Sequence, residues 1–290
     1  MVPTAVSARG EEGDRMAHES RVREAVASLR PIDDVMFRLM AQSRAFCEEV
    51  LRVLLEDPGL TVVECTPQSS VTNPHGRSAV LDALCELSGG GFVDVEVQRV
   101  DGGDLQRRAR YYASLVTADR TGPGDRFEDV PDVCVAIVCE FDPFGAACSL
   151  YHMDRVLRET GEAGDNGLRE VYVNALARDG SEVSALMRLF VEADAYDDAR
   201  FPETSSGKRR LRETEEGGMA MGGIIEELCQ ESEARGEARG EARGKAEGKA
   251  EGRVETICRL VRDGLVSVQD AAASAGVDAG EIRRALAAQG

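Results

Sequence analysis

The chain has 290 residues, 42% of them hydrophobic, enough to bury one large core or two smaller ones. Trp is absent and aromatics reach only 4%, so the core is expected to be rich in Val, Leu and Ala. No apolar run approaches the ~18 residues that span a bilayer, the N-terminus has no apolar leader core, and a net charge of −18 repels nucleic acid at long range. The expectation is a cytoplasmic protein with no membrane partner, in which any DNA-binding role needs local basic surface and metal ions.

Residues 1–27 mix Gly, Glu, Arg and Ser with few large apolar side chains and read as a disordered or frayed tail. From Pro31 onward Val35, Met36, Leu39, Met40, Phe46, Val50, Leu51 and Leu54 recur at helical spacing, which predicts one or two helices ending near Asp57-Pro58-Gly59. Pro31 with Asp33 supplies a plausible start, and Asp34 also reads first as a helix cap. Strands are predicted at about 60–66, 78–87 and 92–99. In the third, Val93, Val95 and Val97 alternate with Asp94, Glu96 and Gln98, the period of a half-buried strand. Ser88-Gly89-Gly90-Gly91 ahead of it is a hairpin signal.

A helix is predicted from Asp104, placed to cap it, to about Thr121, with Arg107, Arg108 and Arg110 supplying positive charge near its start. Val133 to Phe141 is apolar almost throughout, which suits a central strand buried on both faces. Strands at about 148–154 and 169–176 and a helix from Ser181 to about Ala193 complete a domain assigned to 28–200. Residues 201–225, rich in Gly, Ser and charge, read as a linker, and the basic run Lys208-Arg209-Arg210-Leu211-Arg212 within it reads as solvated.

In the next segment, 226–256, Glu-Ala-Arg-Gly occurs three times (233–244) and Lys-Ala-Glu-Gly twice (245–252). Read as a helix, the repeat lines its glycines in a drifting stripe, and each interior Gly costs about 1 kcal/mol relative to Ala. Either a partner helix packs on the stripe, which would make the chain a homo-oligomer, or the segment is a flexible connector. Residues 257–290 regain amphipathic spacing. Ala272, Gly276 and Ile282 stand where a helix-turn-helix places a small residue, a turn glycine and an apolar residue, although a plain two-helix cap fits as well. The eight cysteines (47, 65, 85, 134, 139, 148, 229, 258) form no Cys-x-x-Cys pair and read as reduced core residues, and the three histidines are too dispersed for a His-based zinc site.

Hydrolysis of a phosphodiester with a hard cation needs converging carboxylates and a group that orients water. Glu96 and Gln98 lie two apart and share a strand face. Asp82 joins them only if the glycine turn has an odd loop length, such as Ser88-Gly89-Gly90; a four-residue loop sends it to the other face. Taken alone, such carboxylates read as solvated surface.

Asp34-x-x-Phe37-Arg38, Arg77…Leu81-Asp82, Val95-Glu96-Val97-Gln98 and Arg108…Tyr111-Tyr112 follow one another in an order that resembles the PD-(D/E)XK nuclease family transposases. The resemblance covers roughly 30–145, and the repeat and short tail at 226–290 are similar to that family's C-terminal end. It implies an α/β restriction-endonuclease-like core, a mixed central sheet flanked by helices, with a C-terminal helical extension. It further implies a DNA endonuclease using Mg²⁺ or Mn²⁺, linked to recombination or transposition. Asp82 and Glu96 would hold the metal, and Gln98 would stand where the superfamily has Lys. Arg108, Tyr112 and Asp34 would contact DNA or support the site, and a third acidic ligand could come from Glu48, Glu49 or Asp34. Gln98 lacks the charge of Lys, so the alternative is a catalytically weak nuclease-fold regulatory protein that assembles through its C-terminal helix.

Overall fold

The computed structural model describes residues 26–74, 76–227, 230, 260–261, 266–275 and 278–288. The chain divides into two units, Met1–Ile225 and Glu226–Gly290. In the first, α1 (Asp34–Met40) and α2 (Arg44–Leu54) precede β1 (Val62–Val71), β2 (Ala79–Leu87) and β3 (Phe92–Gln98). Then come α3 (Leu105–Asp119), β4 (Val133–Cys139), β5 (Leu150–Met153), β6 (Leu168–Asn174), α4 (Glu182–Val191) and α5 (Pro202–Glu213).

One six-stranded sheet runs in the order β1-β2-β3-β4-β6-β5. β1, β2 and β3 form an antiparallel meander, β3, β4 and β6 are parallel, and β5 closes the far edge antiparallel to β6. The apolar run of β4 explains its place: every residue is buried, as a strand covered on both faces requires. β1 is longer than the pattern predicted and passes through Pro67, which an edge strand tolerates because its free N–H side needs no donor.

β3 departs from the half-buried strand its alternation suggested. Its polar face is as buried as its valine face, with Asp94 0% and Glu96 3% exposed. The cause is α3, which lays Leu105, Ala109, Ala113 and Val116 over Val135, Ile137 and Cys139 of β4 and so roofs the neighbouring carboxylates.

Two local expectations also change. Of the two aspartates offered at the start of α1, Asp33 holds the cap position and Asp34 sits in the first turn. Residues 201–225 are no linker: α5 is a packed helix with Thr204, Ser205, Lys208 and Leu211 buried behind a buried Phe201 at its cap position, and residues 215–225 are helical too. The N-terminus of α5 is capped from a distance, because Glu49 of α2 accepts from the backbone N–H of Glu203 (2.9 Å) and Thr204 (2.8 Å). The Lys208 ammonium, expected in solvent, instead donates to the carbonyls of Leu189 and Ala195 at 2.9 and 2.8 Å and to that of Glu192. Small and charged residues dominate the composition there; the partners that fold the helix are tertiary.

In the second unit α6 (Val268–Ala275) and α7 (Ala279–Ala288) pack on each other, with Ala272 buried and Arg283 and Arg284 exposed. The tail 1–25, the Gly-punctuated repeat with its suggested assembly, and Gly276 lie outside the described residues. No helix among the described residues is long and apolar enough to cross a membrane.

Candidate metal centre

The turn after β2 decides the site. Leu87 N–H donates to Gly91 O (2.8 Å) and Gly90 N–H to Leu87 O (2.9 Å), closing a three-residue loop in which Gly90 takes φ +86°, a value that favours glycine. Ala83 then pairs with Val95 and Leu84 with Asp94, which sets Asp82 across from Glu96 on one face. At this point the backbone ladder gives way to side chains. Asp82 N–H donates to Glu96 Oε1 at 3.0 Å, and Val97 N–H donates to Asp82 Oδ2 at 3.0 Å. β2 and β3 part there, with two carboxylates between them, while β3 keeps its register with β4.

Strand alternation adds Asp94 and Gln98 to the same face as Glu96. α3 brings Arg108 and Tyr112 to it. Arg108 Nη1 donates to Gln98 Oε1 at 2.7 Å and Nη2 to Asp104 Oδ1 at 3.0 Å. Asp104 occupies the cap position of α3, but its carboxylate turns to this guanidinium and caps no N–H. A second basic frame follows at the end of β3: Arg99 pairs with Asp33 (2.7 Å) and Glu140 (2.9 Å), and Arg30 also holds Glu140.

Burial raises the carboxyls of this cluster in pKa. Asp82 is pushed up to about 6, by desolvation first, against the Val97 N–H that favours its charged form. Glu96 is pushed up to about 10 by desolvation and by the neighbouring Asp94 and Asp82 charges. Asp94 goes well above the carboxylate range for the same reasons. Tyr112 rises to about 12, by burial and the nearby Glu96 charge. Both Asp94 oxygens are buried, and the hydrogen-bonding group beside them is the Glu96 carboxyl. Crowded oxygens facing one guanidinium lack positive charge, and a hard divalent cation with oxygen ligands fits that deficit.

Asp82, Glu96, Gln98, Arg108 and Tyr112 therefore meet. Asp34 faces the cluster closely enough that its charge raises the Asp82 pKa, and its own pKa is raised by burial. Glu48 and Glu49 do not join them: Glu48 accepts from Val62 N–H and pairs with Arg52, and Glu49 caps α5. Asp94 and Gln68, whose side chain hydrogen-bonds Asp82, were not among the sequence candidates. For Asp94 the signal was present, since it precedes Glu96 by two on the same face. Gln68 is reached through a positive φ of 51° in β1, which no spacing rule indicates.

A mixed six-stranded sheet, flanked by helices and carrying acidic residues on a β2–β3 hairpin, defines a PD-(D/E)XK, restriction-endonuclease-like α/β fold. Residues 55–173 match the family described as PD-(D/E)XK nuclease family transposase. The match takes in the hairpin, α3 and the sheet through β6, and it leaves out Asp34 and the 226–290 segment that the sequence resemblance had included. Nucleases of this kind generally use divalent metal ions and have DNA as substrate. Comparison with curated proteins and with solved structures gave no match.

Proposed function

We propose that the protein is a cytoplasmic DNA endonuclease acting in recombination or transposition, with Mg²⁺ or Mn²⁺ held by Asp82 and Glu96. The observation that carries this reading is the forked end of the β2–β3 ladder, where these two carboxylates lie between strands that no longer bond to each other. Asp94, buried beside Glu96, is the third oxygen donor. When bound, the cation supplies Lewis-acid polarisation of the scissile phosphate and lowers the pKa of water.

The chain's own groups do the rest. Gln98 Oε1 is occupied by Arg108, which leaves the amide N–H groups to hold and orient a water. The Arg108 guanidinium brings back, beside Gln98, the positive charge that the superfamily's Lys would carry. Exposed Arg107 and Arg110 on the same helix offer phosphate contacts, answering locally the repulsion of the acidic whole.

Supercoiled plasmid with Mg²⁺ or Mn²⁺ tests the reading. Nicking that disappears in Asp82→Asn and Glu96→Gln supports it; no nicking by the folded wild type, or nicking indifferent to both substitutions, overturns it and favours the regulatory alternative.

A further inference from the structure

On the opposite face of the same hairpin, three cysteines that are remote in sequence come together. Cys65 of β1 is the cross-strand partner of Cys85 of β2, and α2 lowers Cys47 onto the pair. Cys47 Sγ and Cys85 Sγ each lie 3.0 Å from Cys65 Sγ, and all three sulfurs fall within 4.8 Å of one another. Cys85 is three residues from Asp82, so the pleat points the two side chains to opposite faces, and the cluster is separate from the carboxylates. Cys47 and Cys85 are buried, whereas Cys65 is partly open to solvent.

We propose that Cys47, Cys65 and Cys85 form a three-thiolate site for a thiophilic divalent cation, zinc first, with the fourth position open on the Cys65 side. Around tetrahedral zinc a Zn–S bond of about 2.3 Å sets sulfurs about 3.8 Å apart, so the two 3.0 Å contacts would open by about 0.8 Å on loading. Oxygen-seeking Mg²⁺ and Mn²⁺ are poor fits for three sulfurs, so each face of the hairpin selects its own metal. Loading releases the thiol protons to solvent and leaves the sulfurs as thiolates. The cation would tie α2, β1 and β2 together, fixing the strand that carries Asp82 from behind. A disulfide between Cys65 and Cys85 is the competing chemistry, but it employs two of the three sulfurs and leaves Cys47 crowded against them. The site stands independently of the nuclease reading.

The probe is Co²⁺, whose thiolate charge-transfer absorption in the near ultraviolet reports sulfur ligation and ignores a carboxylate site. With the reduced full-length chain we expect a band saturating at about one equivalent and displaced by Zn²⁺. Cys65→Ser, a change at a partly solvent-accessible position, should weaken cobalt binding by about tenfold or more, and Cys148→Ser, at an exposed thiol elsewhere, should leave it unchanged. In the wild type, zinc should protect Cys47, Cys65 and Cys85 together from alkylation. Absence of the band, its survival in folded Cys65→Ser, or unchanged alkylation of the three thiols with zinc would overturn the proposal. So would an intact mass two hydrogens short, with the linkage mapped to Cys65 and Cys85 and no cobalt band after reduction.

Discussion

Asp82 and Glu96 each complete the other's strand: the Glu96 carboxylate takes the Asp82 N–H, and the Asp82 carboxylate takes the N–H of Val97, both at 3.0 Å. The same oxygens thus serve the hairpin and the proposed metal, and the two duties separate by substitution. Asp82→Ala strands the Val97 N–H and should cost about 1–3 kcal/mol, whereas Asp82→Asn keeps an acceptor and should cost less. Both should abolish Mn²⁺ binding. Urea denaturation beside Mn²⁺ calorimetry checks this; equal destabilisation by the two would contradict it.

Asp94 stands in the core, with the Glu96 carboxyl beside it. Asp94→Val removes a buried polar group, so the metal-free protein should gain about 1–3 kcal/mol while binding Mn²⁺ more weakly. A loss of stability in chelator would show that the contact with Glu96 holds the fold together.

Gln98 and Arg108 form a unit through the 2.7 Å contact. Gln98→Lys on its own places two cations together and should lower both stability and nicking. Combined with Arg108→Gln it should recover, giving a coupling energy of about 0.5–3 kcal/mol in a double-mutant cycle. Additive effects would separate the two residues.

Asp179 accepts from the N–H of Ser149 and of Ser181, both at 3.0 Å, and thereby joins the start of β5 to the N-terminus of α4. Its pKa is depressed, by the Ser181 hydroxyl and N–H first. A depressed carboxyl contributes stability that is present above its unfolded pKa of about 4 and lost as pH falls through the folded value. The stability difference between wild type and Asp179→Asn should therefore be positive at neutral pH and shrink below about pH 4. A difference independent of pH would refute the assignment.

Lys208 is fully buried with three carbonyl acceptors. Lys208→Ala should cost about 3–5 kcal/mol. Arg209→Ala, which removes an ion pair with Asp198 and a guanidinium from over the Tyr196 ring, both at the surface, should cost about 1 kcal/mol. Equal effects in thermal melts would return this segment to the status of a solvated run.

Much of this was readable in the residues. Alternation located β2 and β3, the unbroken apolar run located β4, and helical spacing located α1 to α4, because local periodicity records which face meets the core. The turn offered two registers, and only the Leu87–Gly91 closure selects the one that joins Asp82 to Glu96. What could not be read depends on distant partners. Nothing in Asp94-x-Glu96-x-Gln98 distinguishes a solvated face from one roofed by α3. Nothing in the spacing of Cys47, Cys65 and Cys85 announces a common point, and nothing in Pro202–Glu213 foretells Glu49.

That last partnership bears on the order of assembly. α5 has little reason to form by itself: its first N–H groups look to a carboxylate 154 residues upstream, and its one buried ammonium looks to carbonyls at the end of α4. Isolated helices of this length are marginal in water, and long-range closure is slow. A nascent chain must therefore finish the sheet and α4 before residues 202–213 acquire a shape. A protein truncated just ahead of α5 would leave Glu49 and the α4 carbonyls without their partners, so the limit of the folding unit lies beyond the last residue of the family match, in a helix that composition alone would discard.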